Sequence, residues 1–368
     1  MHRRFMQDYQ QIRPLILAIF TDVLGMALIL PILPVLAVQY QINSILLGFL
    51  IASNAIFSFI FSPLYGKLSD QHGRRPVMLL CQVGTLCGFI LLCFSKSIWL
   101  LLFARIIDGC FGGQVPTSQA IISDQVPPHD RGQLMTVIGG TYTFAYIFGP
   151  SMGGFAYQIY GMIGLGLLAT IIATFNLVYS SIYLVETHPD KIVQKPSWME
   201  QPQTNTINSQ TQSSNSVLSL LNNKSTLYLL GLYALFILTA SPFETTISLF
   251  SYLHAHFSIA HIGLLFTAMA LFQVSFRLLL FTRIHNKLGD AKSVIVGFGI
   301  YITAYVFLGF NFGIGFFVFS MCYLTLAAVF TRGIIVSYAS QSVDEKSQGK
   351  LMGLTTSIEN IGQIGGPF

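Results

Sequence analysis

Stretches of about twenty apolar residues, each closed by a short polar break, recur from Pro14 to the end of this 368-residue chain. A helix of that length rises about 30 Å, the thickness of a bilayer's hydrocarbon layer, so a chain that repeats it is a polytopic helical membrane protein. The approximate spans are 14–37, 45–65, 76–95, 98–122, 133–157, 160–184, 226–250, 259–281, 292–310, 313–337 and 349–368, ten complete spans and an eleventh that runs into the last residue. Only 9% of the residues are charged, against the ~25% with which a soluble domain covers its surface, so a water-soluble globule is excluded. The expected fold class is an all-α membrane protein.

The net charge of +5 would suggest a polyanionic partner if the basic residues were clustered, but they are sorted by loop instead. The N-terminus and the even-numbered connections hold fifteen of the nineteen Lys and Arg, Lys96 stands alone in the odd-numbered ones, and Arg105, Arg277 and Arg332 fall inside spans. The positive-inside bias places the N-terminus in the cytoplasm and leaves no sequence basis for a nucleic-acid partner. The N-terminal segment lacks a small-residue cleavage site and reads as leading into a retained first span. Five cysteines (Cys81, Cys87, Cys93, Cys110, Cys322) lie in apolar segments without paired spacing, which reads as small packing residues rather than disulfides or a zinc site.

The connection from Val185 to Ser225 differs in kind: its centre, residues 201–216 (QPQTNTINSQTQSSNS), has almost nothing apolar and reads as a disordered linker. The expected domains are an N-terminal six-helix bundle, 1–185, a cytoplasmic linker, 186–225, and a C-terminal bundle, 226–368. An offset of 217 residues relates the halves: Arg131 to Met135 (RGQLM) aligns with Gln348 to Met352 (QGKLM), and Gly149-Pro150 with Gly366-Pro367. Lys287-Leu-Gly289 is a weaker counterpart of the connection after span 2. On this repeat the second half would extend to about residue 402, so eleven of an expected twelve spans are visible.

Four segments carry motifs. Gly66 to Pro76 (GKLSDQHGRRP) sits between spans 2 and 3, where Gly66 and Gly73 permit close approach or positive φ, Asp70 can cap a turn or accept from arginine, and Arg74 and Arg75 add inward-side cations. Span 4 holds Arg105-Ile-Ile-Asp-Gly109, span 5 holds Gly140 to Gly154 (GTYTFAYIFGPSMGG), and span 1 holds Asp22 to Pro34 (DVLGMALILPILP). The first resembles the G-x-L-x-D-x-x-G-R-R/K signature of the major facilitator superfamily, the second its R-x-x-x-G motif, and the third its G-x(8)-G-P-x-x-G-G antiporter signature, with Gly140, Gly149, Pro150, Gly153 and Gly154 in register. Span 1 resembles the first helix of the drug:proton antiporter branch that includes tetracycline exporters. Asp108 departs from the pattern, standing where the span-4 motif usually has an uncharged residue; Asn286 stands near the place of a second-half Asp70. The resemblance implies a major facilitator fold of two pseudo-symmetric bundles, and a conformational latch at Gly66, Asp70, Gly73, Arg74 and Arg75.

Seven ionisable groups lie within spans: Asp22, Arg105, Asp108, Glu244, Arg277, Arg332 and Glu359. An ion at mid-span costs roughly 2.5 to 3.5 kcal/mol on insertion scales, so these must pair, neutralise or line a cavity. Arg277 and Arg332 lie near span ends and read as snorkelling. Asp22, Arg105, Asp108, Glu244 and Glu359 read as proton-coupling residues, because burial disfavours a carboxylate's charge and a nearby arginine favours it. A structural ion pair stapling spans 1 and 4 is the alternative for the first three. His254, His256 and His261 lack carboxylate or Cys partners and read as loop residues rather than metal ligands. No hydrolytic or nucleotide-binding motif is present, so no enzyme activity, cofactor or metal is expected. The expected function is proton-coupled efflux of a small amphiphilic compound by a monomer in the inner (cytoplasmic) membrane, its partners being that substrate and the lipid bilayer. Proton-coupled movement of a siderophore or metabolite is the alternative within the same fold, and a truncated non-transporting scaffold the alternative outside it.

Overall fold

The computed structural model describes residues 12–126, 128–187, 224–310, 313–341 and 348–366, and they are helical nearly throughout. The helices are α1 Arg13–Ile29, α2 Leu33–Gln39, α3 Ser44–His72, α4 Arg74–Cys93, α5 Ile98–Cys110, α6 Gln114–Gln125, α7 Pro128–Tyr183, α8 Lys224–Leu253, α9 Ile259–Phe276, α10 Thr282–Leu288, α11 Asp290–Leu308, α12 Ile314–Gln341 and α13 Gln348–Gly365, with a π-helical turn Arg277–Phe281 between α9 and α10. Among the described residues nine segments are long and apolar enough to cross a bilayer, and one of them, Val137–Tyr183, has the length for two crossings. The eleven spans expected from sequence are therefore only approximate: α13 is helical where the eleventh was placed, but with Thr355, Ser357, Glu359, Asn360 and Gln363 it is not among the nine segments apolar enough to cross.

Local chemistry sets the breaks. Pro31 and Pro34 lack the N–H that would carry α1 through into α2. Asn43 caps α3 by accepting the Leu46 N–H at 2.8 Å, and Ser97 caps α5. The connection expected at residues 66–76 shrinks to one residue, because α3 runs on to His72 and α4 starts at Arg74. Gly73 makes that corner at φ +105°, and Gly289, within one residue of the repeat offset, makes the corresponding corner before α11 at φ +73°. Gly161, at φ +61° and ψ −146°, divides α7 into the two limbs expected as spans 5 and 6.

The described residues fall into two compact units, 12–187 with 248–264, and 224–247 with 265–366. The centre of the first is α1, whose Leu15, Ala18, Ile19, Val23 and Leu24 pack with Met78, Ile121, Ile122, Leu134 and Ala145. The core of the second is aromatic: Tyr233, Phe236, Tyr301 and Phe330 interlock with Leu324 and Ala327, mostly where α11 runs along α12. Most of the expected linker, residues 188–223, lies outside the described residues.

Candidate functional site

The corner at Gly73 is a charge cluster. The Arg74 guanidinium is buried; it pairs with Asp70, donates through Nε to Asp124 Oδ2 at 2.8 Å, and through Nη1 to Ser69 Oγ at 2.9 Å. Glu186, just beyond α7, accepts the backbone N–H of Arg74 at 2.8 Å and of Arg75 at 3.2 Å, so a carboxylate 112 residues away caps the start of α4. Arg75 donates to the Ser181 carbonyl at 2.6 Å. Gly73 is doubly constrained: beyond its positive φ, a Cβ there would lie 2.5 Å from Glu186 Oε2. Gly66, expected to serve a tight connection, lies inside α3 with no atom within 4 Å of where its Cβ would be. The sequence reading missed Asp124 and Glu186, since each partner lies in a segment with no motif of its own.

A second cluster lies deep in the first unit, where small residues bring α3 and α5 together. A Cβ on Gly109 would lie 2.7 Å from the Asn54 carbonyl oxygen, and one on Gly88 would lie 3.1 Å from Asp108 Cβ, so the backbones meet only because these positions are glycine. That approach lets Asn54 Nδ2 donate to Asp108 Oδ2 at 2.8 Å. The same oxygen accepts from Arg105 Nη1 at 3.2 Å, and Arg105 is 4% exposed. The three-residue spacing read from sequence thus forms a buried ion pair with a third partner, Asn54.

Asp22 belongs to a neighbouring network of amides and hydroxyls. Its Oδ1 accepts from Gln114 Nε2 at 2.6 Å, and the same nitrogen reaches Thr85 Oγ1 at 3.2 Å. Thr85 in turn lies against Asp108, which connects Asp22 to the ion pair. Gln82 donates to Ser180 Oγ at 2.9 Å and Asn176 Oδ1 at 3.4 Å, and Asn176 donates to the Ala18 carbonyl at 3.2 Å, tying α1, α4 and α7 together. A cavity with room for about one water molecule opens beside Asp22, lined by Thr21, Gln82, Thr85, Gln114 and Asn176 among others. These uncharged polar side chains were missed because only ionisable intramembrane groups were sought; lone Gln and Asn inside apolar runs were the available signal.

The remaining expected residues are dispersed. Glu359 on α13 accepts from Arg332 Nη2 on α12 at 2.5 Å and from the Tyr233 hydroxyl on α8, so Arg332 forms an ion pair rather than snorkelling. Arg277 is exposed at the start of the π-helical turn. The side chain of Glu244 lies outside the described residues. In the span-5 motif, Cβ atoms on Gly149 and Gly153 would meet Ala27 and the Leu28 carbonyl of α1 at 2.5 and 2.1 Å, and one on Gly154 would meet Ile259 O at 2.9 Å. Gly263 returns the contact, its Cβ position being 2.3 Å from the Pro150 carbonyl, whereas Gly140 meets nothing within 4 Å. His261 bonds Ser258 at 2.9 Å at the start of α9, and no group of three or more potential metal ligands occurs among the described residues. Cys87 is exposed, unlike buried Cys81 and Cys93.

Two helical units with acids and arginines buried inside long apolar helices define a multi-pass membrane protein of the transporter class. The chain belongs to the Major Facilitator Superfamily, whose family model matches residues 15–367. It is 26% identical over 350 residues to the class H tetracycline resistance protein of Pasteurella multocida, covering 94% of this chain and 84% of that one. It is 24% identical over 362 residues to Multidrug resistance protein 2 of Bacillus subtilis, covering 95% and 85%. The crystal structure of the human organic anion transporter MFSD10 (TETRAN) superposes with a TM-score of 0.67 at 23% identity, over 98% of this chain and 92% of that one. These are membrane transporters rather than enzymes, and this chain is a membrane transporter of their superfamily.

Proposed function

We propose that the chain exports a small amphiphilic compound across the cytoplasmic membrane in exchange for protons, by alternating access, with its N-terminus in the cytoplasm. One observation carries the reading: Asp22, deep in the most enclosed helix of the first unit, is joined through Gln114 and Thr85 to the buried Arg105–Asp108 pair. Buried acids wired to a movable arginine can take and release a proton as the arginine's distance changes. The names of the tetracycline and multidrug resistance relatives support efflux and an amphiphilic substrate. The glycine faces of the span-5 motif, seated on α1 and on Gly263, support close helix contacts that limit leakage. The Asp70–Arg74–Asp124 cluster is suited to a latch that opens and closes as helices shift. At ~150 mV a proton carries roughly 3.5 kcal/mol inward. That supports a concentration ratio of about 300 for a neutral substrate.

The test uses everted membrane vesicles holding a respiration-driven pH gradient, with a panel of dyes and antibiotics as substrates. A transported compound partly collapses the gradient. Asp22→Asn, inserted in the membrane at normal level, is expected to abolish that response; undiminished coupling in the variant refutes the assigned role.

A further inference from the structure

The cavity beside Asp22 has an unusual wall. Nearly every donor in it already has a protein acceptor: the Thr21 hydroxyl donates to the Leu17 and Ala18 carbonyls, the Gln82 amide to Asn176 and Ser180, the Gln114 amide to Asp22 and Thr85, and one N–H of the Asn176 amide to Ala18. The oxygens are in surplus. Gln82 Oε1 and Gln114 Oε1 have no hydrogen-bond partner among the described residues although their residues are 2% and 5% exposed, and both residues line the cavity. The Asp22 carboxylate uses Oδ1 on Gln114 and forms no ion pair among the described residues; Arg105 is engaged by Asp108.

A wall so short of donors selects its occupant. Water settles where it can both donate and accept, typically in about three hydrogen bonds, and here the second N–H of the Asn176 amide is the one amide hydrogen left to donate to it among the described residues. A proton on Asp22 would neutralise the acid and give it one O–H to donate, which satisfies at most one of the two amide oxygens and leaves the other orphaned, at about 1 to 3 kcal/mol for an unsatisfied buried polar group. A small cation serves both needs at once, since it draws only on oxygen lone pairs and offsets the carboxylate's charge. Hard cations take oxygen ligands, and the available space, about that of one water molecule, suits sodium better than a larger ion.

We propose that this cavity, formed by Asp22, Gln82, Gln114 and Thr21, is a binding site for a single monovalent cation of sodium size. The proposal goes beyond the proton reading and does not depend on it: one concerns what is exchanged during transport, the other what sits beside Asp22.

Binding is measured on the purified full chain in detergent, with radiolabelled sodium at constant ionic strength made up with choline chloride. Saturable binding is expected, displaced by unlabelled sodium and lithium, weakly by potassium and not by choline. Gln82→Leu removes an orphan oxygen and is expected to weaken binding roughly tenfold or more. Thr21→Val removes a hydroxyl bonded only within its own helix, so it reports even if the first variant fails to fold. Saturable binding weakened in either folded variant supports the site. Absence of saturable binding to the unaltered protein, or binding unchanged in the folded variants, overturns it. Loss of proton coupling in Asp22→Asn with sodium binding to the unaltered protein absent would leave the transport reading standing and remove this one.

Discussion

Glycine at position 109 and glycine at position 299 are the same residue in helices of the same membrane protein, yet they should answer substitution in opposite ways. At Gly109 an added methyl meets the Asn54 backbone at 2.7 Å, which cannot yield as a flexible side chain would, and the shift it forces lies beside the Asn54–Asp108 bond. Gly109→Ala is expected to cost about 1 to 3 kcal/mol. Gly299→Ala, in open space on α11, is expected to be neutral or to gain about 0.5 to 1 kcal/mol. Thermal unfolding in one detergent compares the two, and equal shifts would contradict the close packing of α3 and α5. The Arg105–Asp108 pair makes a non-additive prediction at the same scale. Asp108→Leu leaves a buried guanidinium without its partner, at about 3 to 5 kcal/mol, whereas the double change Arg105→Leu with Asp108→Leu removes both charges and should be the milder lesion. A double variant less stable than Asp108→Leu would show that the Arg105 guanidinium is satisfied without Asp108, against the pairing described above.

At the scale of elements, the start of α4 shows where sequence stops being informative. Its positive-φ glycine, its paired Asp70 and Arg74 and its position between two spans were legible, because they are local and their chemistry is written in adjacent residues. The carboxylate that caps it was not, because Glu186 lies 112 residues from Arg74 and the interval between them follows no local rule. The same distinction separates Arg105–Asp108, read from a three-residue spacing, from Asn54, which joins them only through a glycine crossing. Arg332 was misread because its place along α12 suggested headgroup contact, while its partner Glu359 lies on another helix. If Glu186 holds the helix start, Glu186→Ala frees two backbone N–H groups and should destabilise the first turn of α4 by about 0.5 to 2 kcal/mol. Hydrogen exchange followed by mass spectrometry should then show faster exchange in peptides that contain residues 74–78, with the centre of α4 unchanged. Unchanged exchange across the first turn would mean that the cap carries no stability.

For the whole molecule, the crossing pattern converts charge counts into a measurable orientation. α4 has 20 residues and rises about 30 Å, so Arg74 and Lys96 stand at opposite faces of the bilayer. Lys67 near the end of α3 and Lys287 near the end of α10 share the Arg74 face if each long apolar segment crosses once and Val137–Tyr183, divided at Gly161, crosses twice. On the loop assignment read from sequence, fifteen basic residues belong to that side and Lys96 alone to the other, and the membrane potential and insertion machinery favour keeping the larger group inside. Lys67, Lys96 and Lys287 are all exposed, so a cysteine at each can react with a reagent. The five native cysteines are first replaced, because exposed Cys87 would report on its own account. In intact cells an impermeant maleimide should label Lys96→Cys and leave Lys67→Cys and Lys287→Cys unmodified until the membrane is opened. The reverse pattern would invert the chain in the membrane, and with it the side from which the Asp70–Arg74–Asp124 cluster is reached. Labelling of Lys67→Cys and Lys287→Cys from opposite sides would instead mean that the two glycine corners, at 73 and 289, do not face the same compartment, and the repeat that relates the halves would lose its structural meaning.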